Sequence, residues 1–180
     1  MRVLREESAG LIIDIQERLF PHMSEPDHLI RNVPVLVKGL KILGIPVLVT
    51  QQYTRGLGPT IGPVSTVLEG TEILEKRYFS CCDEPGFMDA LVPLGKKFII
   101  IAGIEAHVCV LQTAVDLSAM GFVPVVVEDA ISSRKPGDKS TALERMRQEG
   151  ILITSCESIL FELTRHSGTD EFKAISQLIK

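Results

Sequence analysis

No apolar run in this 180-residue chain approaches the roughly 20 residues that a membrane-spanning helix requires, so no membrane association is expected. Basic clusters are scarce too. The 19 Lys and Arg are outnumbered by 23 Asp and Glu, the net charge is −4, and the largest groupings are the pairs Lys96-Lys97 and Arg134-Lys135. A nucleic-acid binder normally carries a basic face or stripe, so no nucleic-acid partner is expected. The opening MRVLREESAG lacks an apolar core and contains Glu6 and Glu7, unlike a secretory leader. Four cysteines (Cys81, Cys82, Cys109, Cys156) form no C-x-x-C pair, and adjacent Cys81 and Cys82 are poorly placed to share a metal. That usage suits free thiols in a reducing cytoplasm. His22, His28 and His166 are far apart and show no ligand spacing, which disfavours a zinc site. Internal repeats and low-complexity tracts are absent. Neither a metal nor a cofactor is expected.

What is present is apolar and regularly spaced. The length suits one domain over residues 1–180, long enough to bury a substantial core. Hydrophobic residues make up 45% of the chain and mean hydropathy is +0.23, high enough to suggest apolar surface shared between subunits, in a dimer or larger homo-oligomer. Five nearly continuous Ile/Val-rich runs recur at 9–14, 45–50, 97–103, 123–129 and 151–155, with a weaker sixth at 72–79. Continuous rather than alternating runs read as strands buried on both faces. Helical spacing fills the intervals at 27–43, 86–92, 107–121 and 138–149, then in SILFEL and in a tail carrying Phe172, Ile175 and Ile179. Strand and helix in alternation imply right-handed crossovers and a three-layer α/β/α, Rossmann-like fold with a six-stranded parallel sheet. Residues 52–70 break the rhythm with two Gly-Pro pairs and little periodicity, predicting a long functional or interface loop.

Ligands of such sheets sit outside the carboxyl ends of the strands, where strand order reverses. In the order 3-2-1-4-5-6, strands one and four meet there. Asp14 ends the first run, Lys76 lies in the weak third strand, and Cys109 opens the helix after the fourth. Each residue also has a plainer reading. Asp14, with Glu17 three residues on, reads equally as the cap of a helix starting near Gln16. A strand-end lysine is most often solvated. A free cysteine is commonly a small core hydrophobe. On an ideal helix, however, Cys109 shares a face with Gln112, Thr113 and Asp116, whereas the apolar stripe runs through Val108, Leu111, Val115 and Ala119. The three together make chemical sense. A thiol at a helix start, an ammonium and a carboxylate form the minimal set for nucleophilic acyl transfer, and backbone N–H groups around 105–109 suit an oxyanion.

LIIDIQERLF, EKRYFS and IAGIEAHVCVLQTAVDLSAMGF together resemble the isochorismatase-like hydrolases over nearly the whole chain. The resemblance implies the 3-2-1-4-5-6 order, with Asp14 as base, Lys76 as its partner and Cys109 as nucleophile. It also implies a cis peptide at Glu105–Ala106 or its neighbour Ile104–Glu105, making Ile104, Glu105 and Ala106 the oxyanion turn. Gln16, Phe20, Tyr53, Phe79 and His107 are the expected substrate-pocket residues. Nicotinamidases of this superfamily carry an Asp-x-His…His cluster after the second strand. TQQYTRGLG has neither residue type, which disfavours that metal-dependent activity. Isochorismatase proper lacks the cysteine, so Cys109 also argues against vinyl-ether hydrolysis. QQYTRGLGPT looks closest to the isochorismatase-domain-containing and YcaC-like subgroup. The implied activity is metal-independent cleavage of a C–N bond in a small-molecule amide or related carbonyl compound. A non-catalytic scaffold and a redox-sensing thiol protein remain the alternatives.

Overall fold

Strands that are apolar on both faces must be covered on both sides, and this requirement organises the molecule. A computed structural model describes residues 1–180. Its strands are β1 (Ser8–Ile13), β2 (Val47–Gln52), β3 (Ile73–Lys76), β4 (Phe98–Ile104), β5 (Val123–Ser132) and β6 (Leu152–Thr154). All pair in parallel, in the order β3-β2-β1-β4-β5-β6. The helices are α1 (Pro26–Ile42), α2 (Thr54–Leu57), α3 (Gly62–Val67), α4 (Pro85–Leu91), α5 (Leu111–Ala119), α6 (Pro136–Gln148), α7 (Cys156–Thr164) and α8 (Asp170–Ile179).

Alternation along the central strands divides the core in two. Ile100, Ala102 and Ile104 of β4 face α1, α3, α7 and α8, within a cluster of 27 buried residues. Ile99 and Ile101 face the other way, joining Leu117 of α5 and Met146 of α6 among 21 buried residues. The sheet is therefore the middle of three layers. No helix is long and apolar enough to cross a membrane.

Two expectations are corrected. Residues 52–70 are not a bare loop. α2 and α3 lie within them, and Ile61, Val64 and Leu68 are buried in the first core cluster. Short helical turns with apolar residues at 61, 64 and 68 supply the periodicity that the Gly-Pro pairs obscure. The helix after β4 also differs from an ideal one. Its first turn, Ala106–Val110, is π-helical, and regular α5 begins only at Leu111. One wide turn rotates everything downstream. The buried stripe becomes Val110, Thr113, Ala114 and Leu117, while Val108 and Val115 are half-buried and Ala119 is exposed. The helix stops where expected, because Gly121 takes φ 87°, a left-handed turn that glycine enters without strain. No helix begins near Gln16, so Asp14 caps nothing; a short 3₁₀ turn appears only at Phe20–His22.

The register brings the reactive ends together. Ile13 pairs with Thr50 on one side and Gly103 on the other, and Gln52 pairs with Lys76. Gly103 makes the central contact feasible. A Cβ there would lie 2.2 Å from the carbonyl oxygen of Ile13, and its φ of 138° disfavours any side chain. Gly103→Ala is expected to lower the unfolding free energy by more than about 3 kcal/mol, because backbone rather than a flexible side chain must yield. Gly137→Ala in α6, where a Cβ meets nothing within 4 Å, should stay within about 1 kcal/mol of the parent. Urea unfolding of the two variants checks this. Equal midpoints would refute it.

Candidate active site

The residue following β1 turns sharply. Asp14 has φ 52°, a left-handed conformation that aspartate tolerates better than most residues, and its side chain is 1% exposed. Its carboxylate is held from two sides. Thr50 Oγ1 donates to Oδ1 at 2.8 Å, and Lys76 Nζ lies 2.7 Å from Oδ2.

Lys76 is itself 1% exposed, a rare state for lysine that demands full compensation. Its ammonium has three hydrogens. They go to Gln52 Oε1 (2.6 Å), the Tyr78 carbonyl (3.0 Å) and the Phe79 carbonyl (3.1 Å). Asp14 Oδ2 thus receives the ammonium's charge without an aligned hydrogen. It is the molecule's one buried side-chain oxygen or nitrogen with no hydrogen-bond partner. Gln52 is fixed in turn by donating Nε2–H to the Arg77 carbonyl at 2.7 Å.

Cys109, in the π turn, is 7% exposed and interacts with the same carboxylate. Burial pushes its thiol up to about 12; the Asp14 charge adds to this and Lys76 opposes it. Burial likewise raises the Asp14 carboxyl above its ordinary 3.8, against the pull of Lys76. For Lys76, burial acts to lower the pKa, but Asp14 and the neighbouring thiols more than offset it, so the side chain remains an ammonium. One fixed positive charge therefore faces two acids that both resist ionising. The arrangement holds one negative charge and one mobile proton, shared as a coupled set.

A cavity of about 110 Å³ opens beside this set. Asp14 and Cys109 form its reactive end, and Leu19, Leu57, Phe79 and Val108 form an apolar wall. Gln52 and Glu105 supply its remaining polar groups. The Ile104–Glu105 peptide is cis. Glu105 Oε2 accepts from the Arg134 backbone N–H at 3.1 Å and from Arg134 Nε at 3.0 Å.

Of the five expected pocket residues, only Phe79 borders the cavity. Gln16 is a strut. Its Nε2 donates to the Gln52 and Gly58 carbonyls, and its Oε1 accepts from Gln52 N–H, tying β1 to the end of β2. Tyr53 lies under Arg77, whose guanidinium carbon is 4.1 Å from the ring centre. Phe20 packs against the first core cluster. His107 Nδ1 meets Ser133 Oγ at 2.9 Å, bracing the turn from outside. Thr50, Gln52, Leu19 and Leu57 were not expected. The polar TQQ ending an otherwise apolar strand was the available signal for the first two; Leu57 belongs to a segment without periodicity. No group of three or more His, Cys, Asp or Glu is placed to hold a metal ion.

Replacing Lys76 by Met leaves the Asp14 carboxylate buried without its counter-charge, a defect worth about 3–5 kcal/mol. The sign of the pH dependence follows from the carboxyl. Its folded pKa is raised, so its contribution is fully favourable below the unfolded value near 3.8 and is lost as pH rises through the folded value. Lys76→Met should therefore approach the parent in stability in acid and fall progressively behind toward neutrality. Adding Asp14→Asn should recover part of the loss at pH 7. Denaturant titrations across pH test this, and a pH-independent deficit would contradict it.

Comparison with known proteins places the fold and the chain in a family. The isochorismatase domain family matches residues 8–158, from the first residue of β1 into α7. The secreted isochorismatase effector Isc1 of Phytophthora sojae is 38% identical over 99% of this chain and 87% of its own length. The MAR1 ribonuclease of Caenorhabditis elegans superimposes with a TM-score of 0.93 at 37% identity, covering 99% of this chain and 92% of that one. YcaC of Escherichia coli, described as an octameric hydrolase of unknown specificity, gives a TM-score of 0.92 at 25% identity, covering 99% and 90%. With the fold, the strand order and the three motifs inside the matched span, the chain belongs to the isochorismatase family of hydrolases.

Proposed function

We propose that this single domain is a metal-independent cysteine hydrolase that cleaves the C–N bond of a small amide or related carbonyl compound. The observation that carries the reading is the placement of Cys109 beside the buried Asp14–Lys76 pair at one end of the cavity. Cys109 Sγ attacks the carbonyl carbon while its proton passes to the Asp14 carboxylate. Lys76 stabilises the anion on whichever acid carries it. The carbonyl oxygen becomes an oxyanion facing the Ile104–Glu105–Ala106 turn. Val108 and Val110 N–H both donate to the Glu105 carbonyl, so the oxyanion is left to the other N–H groups of the turn between Glu105 and Cys109. Collapse breaks the C–N bond, Asp14 returns the proton to the departing amine, and a Cys109 thioester remains. Water, deprotonated by Asp14, then attacks the thioester and releases the carboxylic acid and the thiol.

The C. elegans neighbour's description as a ribonuclease does not transfer easily. RNA binding rests on phosphate contacts, whereas this chain carries −4 and no Lys or Arg borders its cavity. Assembly into a homo-oligomer is part of the proposal. Tyr78, Phe79, Val92 and Met120 are each more than half exposed, and the E. coli neighbour is an octamer. Four unpaired buried thiols suit a reducing compartment such as the cytoplasm.

Ammonia release from a panel of primary amides tests the reaction. Cys109→Ala and Asp14→Asn should each lower kcat/KM at least about 1,000-fold on any amide turned over. Denaturation of the enzyme in mid-turnover should trap an acyl mass on the peptide containing Cys109. Undiminished hydrolysis by Cys109→Ala would sink the thiol mechanism. Because Asp14 is raised by burial, the acid limb of the kcat/KM profile should lie above the ordinary carboxylate value of 3.8.

A further inference from the structure

Granted the thiol chemistry just proposed, we infer that the substrate is an uncharged primary amide with a short aliphatic acyl chain, and that Glu105 enforces the choice. Size comes first. A cavity of about 110 Å³ is a third of the small end of ligand pockets, which begin near 300 Å³. At about 30 Å³ per water, it displaces fewer than four water molecules, the space of a two- to four-carbon acyl group. That space favours a short acyl chain over an aromatic or bicyclic one.

Polarity is decided by which charges have a free face toward the cavity. Lys76 is the nearest cation, but its three hydrogens are taken by Gln52 and two backbone carbonyls, and it does not border the cavity. Arg134 does not border it either, and its Nε is spent on Glu105. Neither cation lines the cavity, so neither offers a substrate carboxylate a direct partner within it. Glu105 does border the cavity and is buried. Only its Oε2 is engaged; Oε1 has no protein donor. The cavity is thus bordered by a carboxylate paired with Arg134 through Oε2, whose Oε1 has no protein donor. An anionic substrate would lose its hydration and meet a like charge. A primary amide offers two N–H donors, one of which suits Oε1, and a neutral acyl chain suits Leu19, Leu57 and Val108. Donation to Glu105 would also hold the NH₂ group on the side from which it must leave. Glu105 is in this sense a specificity-determining residue.

Three amides separate the alternatives: butyramide, the similar but anionic succinamate, and benzamide. For the native chain, kcat/KM for butyramide should exceed that for each of the others at least 100-fold. Glu105→Gln keeps the shape and one acceptor for Arg134 while removing the charge, and should narrow the butyramide-to-succinamate ratio at least tenfold. A second readout needs no turnover. Cys109 should prefer iodoacetamide over iodoacetate by at least tenfold more than free glutathione does, and Glu105→Gln should erase that excess. Succinamate or benzamide matching butyramide, turnover of none of the three, or ratios indifferent to Glu105→Gln would overturn the inference and leave the thiol mechanism standing. Butyramide hydrolysis that persists in Cys109→Ala would instead overturn the mechanism and leave the substrate class standing.

Discussion

A lysine ammonium stripped of water must find acceptors for three hydrogens and a counter-charge, and Lys76 finds them on three different stretches of chain. Gln52 ends β2, the Tyr78 and Phe79 carbonyls follow β3, and Asp14 follows β1. Each has to be in place before the others are useful. A bend at 77–79 that failed to turn its carbonyls inward would strand a buried hydrogen. An Asp14 that left its left-handed conformation would strand the charge. Burying this pair costs more than its Coulomb attraction alone returns, so it is a poor device for stability. Its value lies in direction: the acceptors determine which way the ammonium's hydrogens point, and that leaves one carboxylate oxygen unclaimed.

The rest of the fold serves that arrangement. The absence of a Cβ at Gly103 lets β4 lie close against Ile13, which brings the start of the π turn beside the end of β1. The wide turn then holds Cys109 at the cavity while its neighbours Val110, Thr113 and Ala114 rotate into the core. Gln16 spans from β1 to the Gln52 and Gly58 backbones, so the segment carrying Leu57 is fastened to the same strand end as Asp14. Residues 52–70 are thereby wall as well as connection. Ile61, Val64 and Leu68 anchor one end of that segment in the core, and Leu57 faces the cavity from the other.

Much of this was legible in the chain, for identifiable reasons. Doubly buried strands announce themselves as unbroken Ile/Val runs, and helix ends such as Gly121 are set by local backbone chemistry. Asp14, Lys76 and Cys109 each had an ordinary structural reading, and they stood out only through their combined chemistry at strand ends and the motifs shared with a family. The phase of α5 was not legible, since a π turn has no composition of its own. It arises where the chain leaves β4 and must aim a thiol and a hydrophobic stripe in different directions. The cavity wall was misjudged for a related reason. Tyr53 and Phe20 lie near strand ends in sequence, but Tyr53 is drawn under Arg77 and Phe20 into the core. Leu19 and Leu57 occupy the wall through tertiary contacts that no periodicity reports.

A thiol held up near 12 looks like a poor nucleophile, and in isolation it would be. The same burial that suppresses the thiolate also raises the Asp14 carboxyl, so the two acids are shifted in the same direction by the same cause. For the proposed attack, what matters is the difference between them and the distance the proton travels, and Lys76 favours the charged form of both. A substrate that fills the cavity excludes water from the end where Asp14 and Cys109 lie, which strengthens the lysine's hold on the anion formed there. In the mechanism proposed above, the thiol is thus activated by the molecule it attacks. Such a device favours a neutral ligand matched to the cavity's volume, because one that is too small leaves water behind and one that carries its own charge disturbs the balance of a single anion against a single cation.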